Sequence, residues 1–165
     1  MRSLSKKIIL TGGFCVGKTS LISRFVYQRF LYIYQTTLGV RIDRKTVVLG
    51  DASINMLIWD IGGEQTQSRV PESYYLGSSG VIYVFDVARK SSYENIGSDL
   101  QYIHQKMPTV PIIIVGNKVD LLNEEQLLEV QQSLPITADF YTSAKEDIYV
   151  EQTFLKLANI LLNED

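Results

Sequence analysis

Apolar residues fall along this chain in two rhythms. Short unbroken runs predict buried strands: Ile8-Ile9-Leu10 within Lys7–Thr11, then Gly80–Val87 and Val110–Gly116. Between them, apolar residues recur at helical spacing. Leu21, Ile22, Phe25 and Val26 mark a helix over Lys18–Gln28, and Phe154, Leu157, Ala158 and Leu161 mark one over Ile148–Leu162. Two more helices are predicted over Ser92–Lys106, capped by Ser91 or Ser92, and over Asn123–Leu134, capped by Asn123. Val40–Leu49 is rich in β-branched residues, and Ile54–Asp60 alternates Ile54, Met56 and Ile58 against Asn55, Leu57 and Trp59. Gly50-Asp51 between them predicts a hairpin. Pro71–Leu76 reads as a short helix and Phe140–Thr142 as a short strand. Phe30–Gly39 lacks a helical period and reads as a loop, and the polar, glycine-led Gly62–Arg69 as a mobile one. The order β-α-β-β-α-β-α-β-α-β-α predicts an α/β fold. Its doubly wound, mainly parallel six-stranded sheet has one antiparallel hairpin and helices on both faces. Ligands bind such sheets beyond the carboxyl ends of the strands.

The 165 residues, 45% of them hydrophobic, suffice for a single domain over 1–165 with a full core. A net charge of −2, without a basic stripe, gives no reason to expect nucleic acid as a partner. One cysteine, Cys15, excludes an internal disulfide and fits a reducing, cytoplasmic setting. The basic start Met1–Lys7 leads into too few apolar residues for a signal peptide, and no apolar run approaches the ~20 residues of a membrane span.

Chemistry gathers at the predicted strand ends. Gly12-Gly13-Phe14-Cys15-Val16-Gly17-Lys18-Thr19 follows the first strand and opens the first helix, the context that gives G-x-x-x-x-G-K-[ST] its meaning. Glycines let backbone N–H groups close round phosphate oxygens, and the helix N-terminus adds unsatisfied donors. Lys18 would reach the β- and γ-phosphates, and the Thr19 hydroxyl would ligate Mg²⁺, with Ser20 beside it. Asp60-Ile61-Gly62-Gly63 ends another strand. Asp60 there can hold Mg²⁺, and Gly63 can bring an N–H to a γ-phosphate. Asn117-Lys118-Val119-Asp120 follows a third. Guanine offers two N–H donors on one edge, which the Asp120 carboxylate matches, whereas adenine presents the opposite pattern. Asn117 would brace the phosphate loop or meet the base's other edge. After the short strand Phe140-Tyr141-Thr142, Ser143-Ala144-Lys145 could offer the Ala144 N–H to guanine O6 and the Lys145 stem to a base face.

Taken together, GGFCVGKT, TTLGV, WDIGGE, NKVD and TSAK, in that order from 12 to 145, resemble a Ras-superfamily small GTPase. Thr37-Leu38-Gly39-Val40 and Tyr74-Tyr75-x-Gly77 are most similar to the Rab branch, while the paired glycines of Asp60–Gly63 resemble the Arf branch. The resemblance implies a GTP- or GDP-binding switch with Mg²⁺ held by Thr19, Thr37 and Asp60. It implies a nucleotide cradle of Gly13, Phe14, Cys15, Val16, Gly17, Lys18, Thr19 and Ser20. It likewise places Phe30 edge-on against guanine, Tyr34 over the phosphates, and Lys18, Gly63 and Glu64 at the hydrolytic centre. Protein effectors or regulators would meet switch I (32–40) and switch II (62–76).

Three residues or segments depart from the pattern. Glu64 stands where most members carry a water-orienting glutamine. A carboxylate accepts but does not donate, and it repels phosphate, so slow hydrolysis is expected; a Glu64 with raised pKa acting as base is the opposing reading. Phe14 stands where many members keep a small residue and where an activating arginine passes; it obstructs that path or points into solvent. The last residues, Leu161–Asp165, hold no cysteine for prenylation, so no lipid anchor on this chain is expected. The expected function is a Rab-like switch with slow Mg²⁺-dependent hydrolysis; the alternative is a GTP-binding regulator with little or none. A P-loop kinase or ATPase is disfavoured by Asn117-Lys118-Val119-Asp120.

Overall fold

The computed structural model describes residues 1–32, 37, 39–62 and 70–164. Six strands form one sheet: β1 (Arg2–Gly12), β2 (Val40–Leu49), β3 (Ala52–Ile61), β4 (Ser78–Asp86), β5 (Ile112–Asn117) and β6 (Phe140–Thr142), in the order β2-β3-β1-β4-β5-β6. Among the six described strands, only β2 and β3 pair antiparallel, joined by the Gly50-Asp51 turn; the other strand pairings are parallel. The helices are α1 (Lys18–Tyr27), α2 (Glu72–Tyr75), α3 (Ile96–Lys106), α4 (Glu124–Ser133) and α5 (Val150–Asn163).

Two apolar layers sandwich the sheet. Leu21, Ile22 and Phe25 of α1 join Phe154, Leu157 and Leu161 of α5 over Ile8, Leu10, Ile58 and Val84, with Phe25 stacked on Phe154 at 4.0 Å. Tyr75, Ile96, Ile103 and Val130, from α2, α3 and α4, cover Ile9, Val81, Tyr83 and Phe85 on the other face. Neighbours in sequence go to opposite faces, as strand geometry requires.

Four of the boundaries that differ from the sequence expectation have a particular physical reason. β1 begins at Arg2 because its polar first half pairs with Ala52–Met56 of β3, a long-range contact without local pattern. α1 stops at Tyr27, since Gln28 turns left-handed at φ 57° and caps it. α3 begins at Ile96, not Ser92. The Ser92 hydroxyl is used elsewhere: it accepts the Asp86 N–H at 2.9 Å and lies 2.7 Å from the Arg89 carbonyl. It therefore closes a 3-10 turn (Lys90–Ser92) after β4 instead of capping a helix. α5 starts at Val150 because Ile148 is taken by a two-bond bridge with Ser143. The Asn123 cap forms as expected, a capping box with Gln126.

All five parallel strands end on one side. Gly12, Asp60, Asp86, Asn117 and Thr142 therefore share one rim, and Asp86, Asn117 and Thr142 sit on one rung. β1 and β4 are neighbours whose following segments leave in opposite directions, which opens a crevice at that rim.

Candidate functional site

At the rim lies a cleft of about 310 Å³, lined by Phe14–Ser20, Phe30, Thr37, Asn117, Lys118, Asp120, Ala144 and Lys145 among others. Its floor is the loop between β1 and α1. Gly12 lies so close to β4 that an added Cβ would sit 2.1 Å from the Val84 carbonyl. At Gly17 the backbone is left-handed at φ 99°, and a Cβ would stand 2.3 Å from Asn117 Nδ2. The two glycines let this loop fold down between the strand ends.

Lys18 is buried and donates to the Gly13 carbonyl at 2.7 Å. Burial lowers its pKa from 10.5 to about 8, against the opposing pull of Asp60. The Gly13 carbonyl and the more distant Gly12 carbonyl, at 3.5 Å, do not replace a hydration shell, so this cation is poised for an anion. Thr19 Oγ1 lies 2.8 Å from Thr37 Oγ1 and donates to Asp60 Oδ2 at 2.5 Å. Strand alternation explains Asp60: Ile54, Met56 and Ile58 face α1, so Asp60 does too, beside the start of that helix. Its other oxygen, Oδ1, is buried with no hydrogen-bond partner among the described residues, and burial raises the carboxyl's pKa above 3.8. Two hydroxyls and a carboxylate are hard oxygen donors of the kind Mg²⁺ accepts. Among the described residues no group of three His, Cys, Asp or Glu side chains could hold a metal. One carboxylate suffices for Mg²⁺ when substrate phosphates complete the shell.

Asn117 ties the far wall to the floor. Its Nδ2 donates to the Val16 carbonyl at 3.1 Å, while its Oδ1 accepts from Thr142 Oγ1 at 3.0 Å and the Ala144 N–H at 3.3 Å. Of the two roles open to Asn117, bracing the loop is the one these contacts show. Lys118 donates to the Cys15 carbonyl at 2.7 Å and pairs with Asp86 at 3.1 Å. The Ser143 hydroxyl donates to Asp120 at 2.7 Å and orients that carboxylate in the cleft. Ser143 and Gly13 thus support lining residues rather than line the cleft themselves. Phe30 packs edge-on against Tyr32 at the mouth, and Phe14 is half-exposed at the lip. Tyr34, Gly63 and Glu64 lie outside the described residues, as does most of the loop Gly62–Arg69.

Motif reading missed Arg24, Arg41 and Asp86. Arg24, in the last turn of α1, donates to the Ala144 and Lys145 carbonyls at 2.8 and 2.9 Å, fixing the loop that holds them. Arg41 lines the cleft from β2. A carboxylate ending the apolar run Gly80–Phe85 was the available signal for Asp86.

The Ras family profile matches residues 7–163. This chain belongs to the Ras family. It is 37% identical to the human Ras-related protein Rab-7b over 169 residues, spanning 98% of this chain and 85% of that protein. To fruit-fly Rab7 (Drosophila melanogaster) it is 33% identical, over 92% of this chain and 78% of that protein. The GTP-binding protein yptV2 of Volvox carteri is 30% identical over 94% of this chain and 75% of its own length. The Ras-family chain is accordingly a Rab-like small GTPase, a guanine-nucleotide switch that hydrolyses GTP. No helix among the described residues is long and apolar enough to cross a membrane.

Proposed function

We propose that the rim cleft holds GTP or GDP with Mg²⁺, the phosphates on the loop Gly13–Ser20 and the base between Asp120 and Ala144. The supporting observation is that one cleft has a buried lysine and two threonines at one end, one of them bonded to the buried Asp60 carboxylate behind it, and an oriented carboxylate at the other. Thr19, Thr37 and Asp60 would hold the ion, which supplies charge neutralisation for the phosphates. Lys18 would add its positive charge at the transferred phosphate. Asp120 would accept the guanine N–H pair, the Ala144 N–H would be shared between Asn117 Oδ1 and O6, and Phe30 and Lys145 would flank the base. Tyr34 and Gly63 are assigned their phosphate contacts from sequence alone.

Hydrolysis is read as slow because Glu64 replaces a group that both donates and accepts. Phe14, half-exposed at the lip, stands in the path of an external arginine. Segments 32–40 and 62–76 would present the nucleotide state to a protein effector in the cytoplasm. Extraction of nucleotide from purified protein, followed by chromatography, tests the reading: GDP or GTP is expected, and an adenine nucleotide would overturn it.

A further inference from the structure

Three consecutive carbonyls of the phosphate loop each accept a hydrogen bond from a side chain of another segment. Asn117 holds that of Val16, Lys118 that of Cys15, and Arg89 Nη2 that of Phe14. The first two donors belong to Asn117-Lys118-Val119-Asp120. Arg89 belongs to none of the motifs above; it lies in the turn that follows β4.

In a trans peptide the C=O and the next residue's N–H point in opposite directions from one plane. A donor pulling on the Phe14 carbonyl therefore aims the Cys15 N–H the other way. Lys118 does the same for the Val16 N–H, and Asn117 for the Gly17 N–H. Three successive donors are set by three side chains, and all three residues they belong to line the cleft. The middle of this arrangement needs holding. Cys15 is a non-glycine residue at φ 58°, a left-handed conformation that side chains with a Cβ disfavour.

Arg89 is itself held. Its N–H donates to the Asp86 carbonyl at 3.1 Å, and Asp86 Oδ1 accepts the Ala88 N–H at 2.9 Å. The other Asp86 oxygen pairs with Lys118 at 3.1 Å. Asp86 thus braces the turn that carries Arg89 through its backbone carbonyl, and pairs with Lys118 through its carboxylate.

We propose that Arg89 is a positioning residue for the phosphate loop, holding the Phe14 carbonyl so that the Cys15 N–H is aimed at a phosphate and nucleotide release is slowed. This rests on the cleft being the guanine-nucleotide site, which the wild-type preference for GDP over ADP tests separately. The experiment compares wild type, Arg89→Ala and Arg89→Lys in Mg²⁺ buffer, by release of fluorescent GDP and by competition with GDP and GMP. Arg89→Ala should release GDP about fivefold faster, the effect of one partly exposed charged hydrogen bond. Arg89→Lys, with a point charge in place of a planar fork, should fall between. Affinity for GMP, which lacks the β-phosphate, should change less than affinity for GDP. Unchanged GDP release in Arg89→Ala overturns the proposal, and so does an equal loss for GDP and GMP, the mark of a general loosening. Should Arg89→Ala fail to fold, release from Arg89→Lys at the wild-type rate overturns it. An absence of preference for GDP over ADP would instead remove the site reading, and the proposal with it.

Discussion

One oxygen of Asp120 takes the Ser143 hydroxyl at 2.7 Å, so the carboxylate is oriented before any base arrives. Asp120→Asn turns an acceptor into a donor facing guanine N–H groups. The expected loss of GTP affinity is about 2–5 kcal/mol, that of removing the charged partner of a bidentate hydrogen-bonded pair. Xanthosine nucleotides, which carry an oxygen there, should gain. Competition titrations of GTP, ATP and XTP check this, and unaltered GTP binding in the variant would remove Asp120 from base recognition. The proposed slow hydrolysis is assigned to another single residue, Glu64. Glu64→Gln should raise the single-turnover rate about tenfold, equivalent to ~1.4 kcal/mol of transition-state stabilisation. A fall in rate would instead make Glu64 a working base. Residues of this kind were legible in the sequence because their chemistry is carried by side-chain type at fixed spacing from a strand end. Arg24 and Asp86 were not, because they act on backbone carbonyls and on partners far along the chain. Nothing in their neighbourhood encodes those partners.

Among the elements, β4 and α3 meet through a buried polar contact, Tyr83 donating to Asp99 at 2.7 Å. Burial, then the Asp99 charge, raises the Tyr83 pKa above the ordinary 10.0; burial raises that of Tyr75 as well. The folded protein therefore holds these phenols neutral where the unfolded chain would ionise them. Above about pH 10 the unfolded state binds fewer protons, so stability falls as pH rises. Tyr83→Phe should cost about 1–3 kcal/mol at neutral pH, by leaving Asp99 with one partner fewer, and should flatten the alkaline decline. Urea midpoints at neutral pH and near pH 10.5 measure both effects; a parallel alkaline decline in the variant would exclude Tyr83 as its source. Elements of this sheet were predictable where burial is two-sided or alternation is clean, as in Gly80–Val87 and Ile54–Asp60. Prediction failed at the polar half of β1 and at Ser92, where tertiary hydrogen bonds override local preference.

For the molecule as a whole, the proposed ion site would draw together three segments that lie apart in sequence. Thr19 at the start of α1, Thr37 beyond its end and Asp60 on β3 meet at one point, so metal bound there would cross-link three segments. Chelation of Mg²⁺ should therefore speed nucleotide release by tenfold or more on the order-of-magnitude scale of one charge-assisted contact. Release rates with and without chelator check this, and equal rates would place the ion elsewhere.

β1 is central in space yet first in sequence. Arg2 pairs with Ala52 and Gly12 with Val84, so neither side of β1 can close until chain far downstream is in place. The β2–β3 hairpin, by contrast, needs only its own turn. Loop closure makes such distant pairings slow, so the hairpin is expected to form early and β1 to be inserted late in folding. The phosphate loop is the carboxyl end of that late strand. It has no cradle to offer a nucleotide until β1 is seated against β4. Bound nucleotide would then act on the finished fold, slowing its unfolding while leaving the rate of folding nearly unchanged.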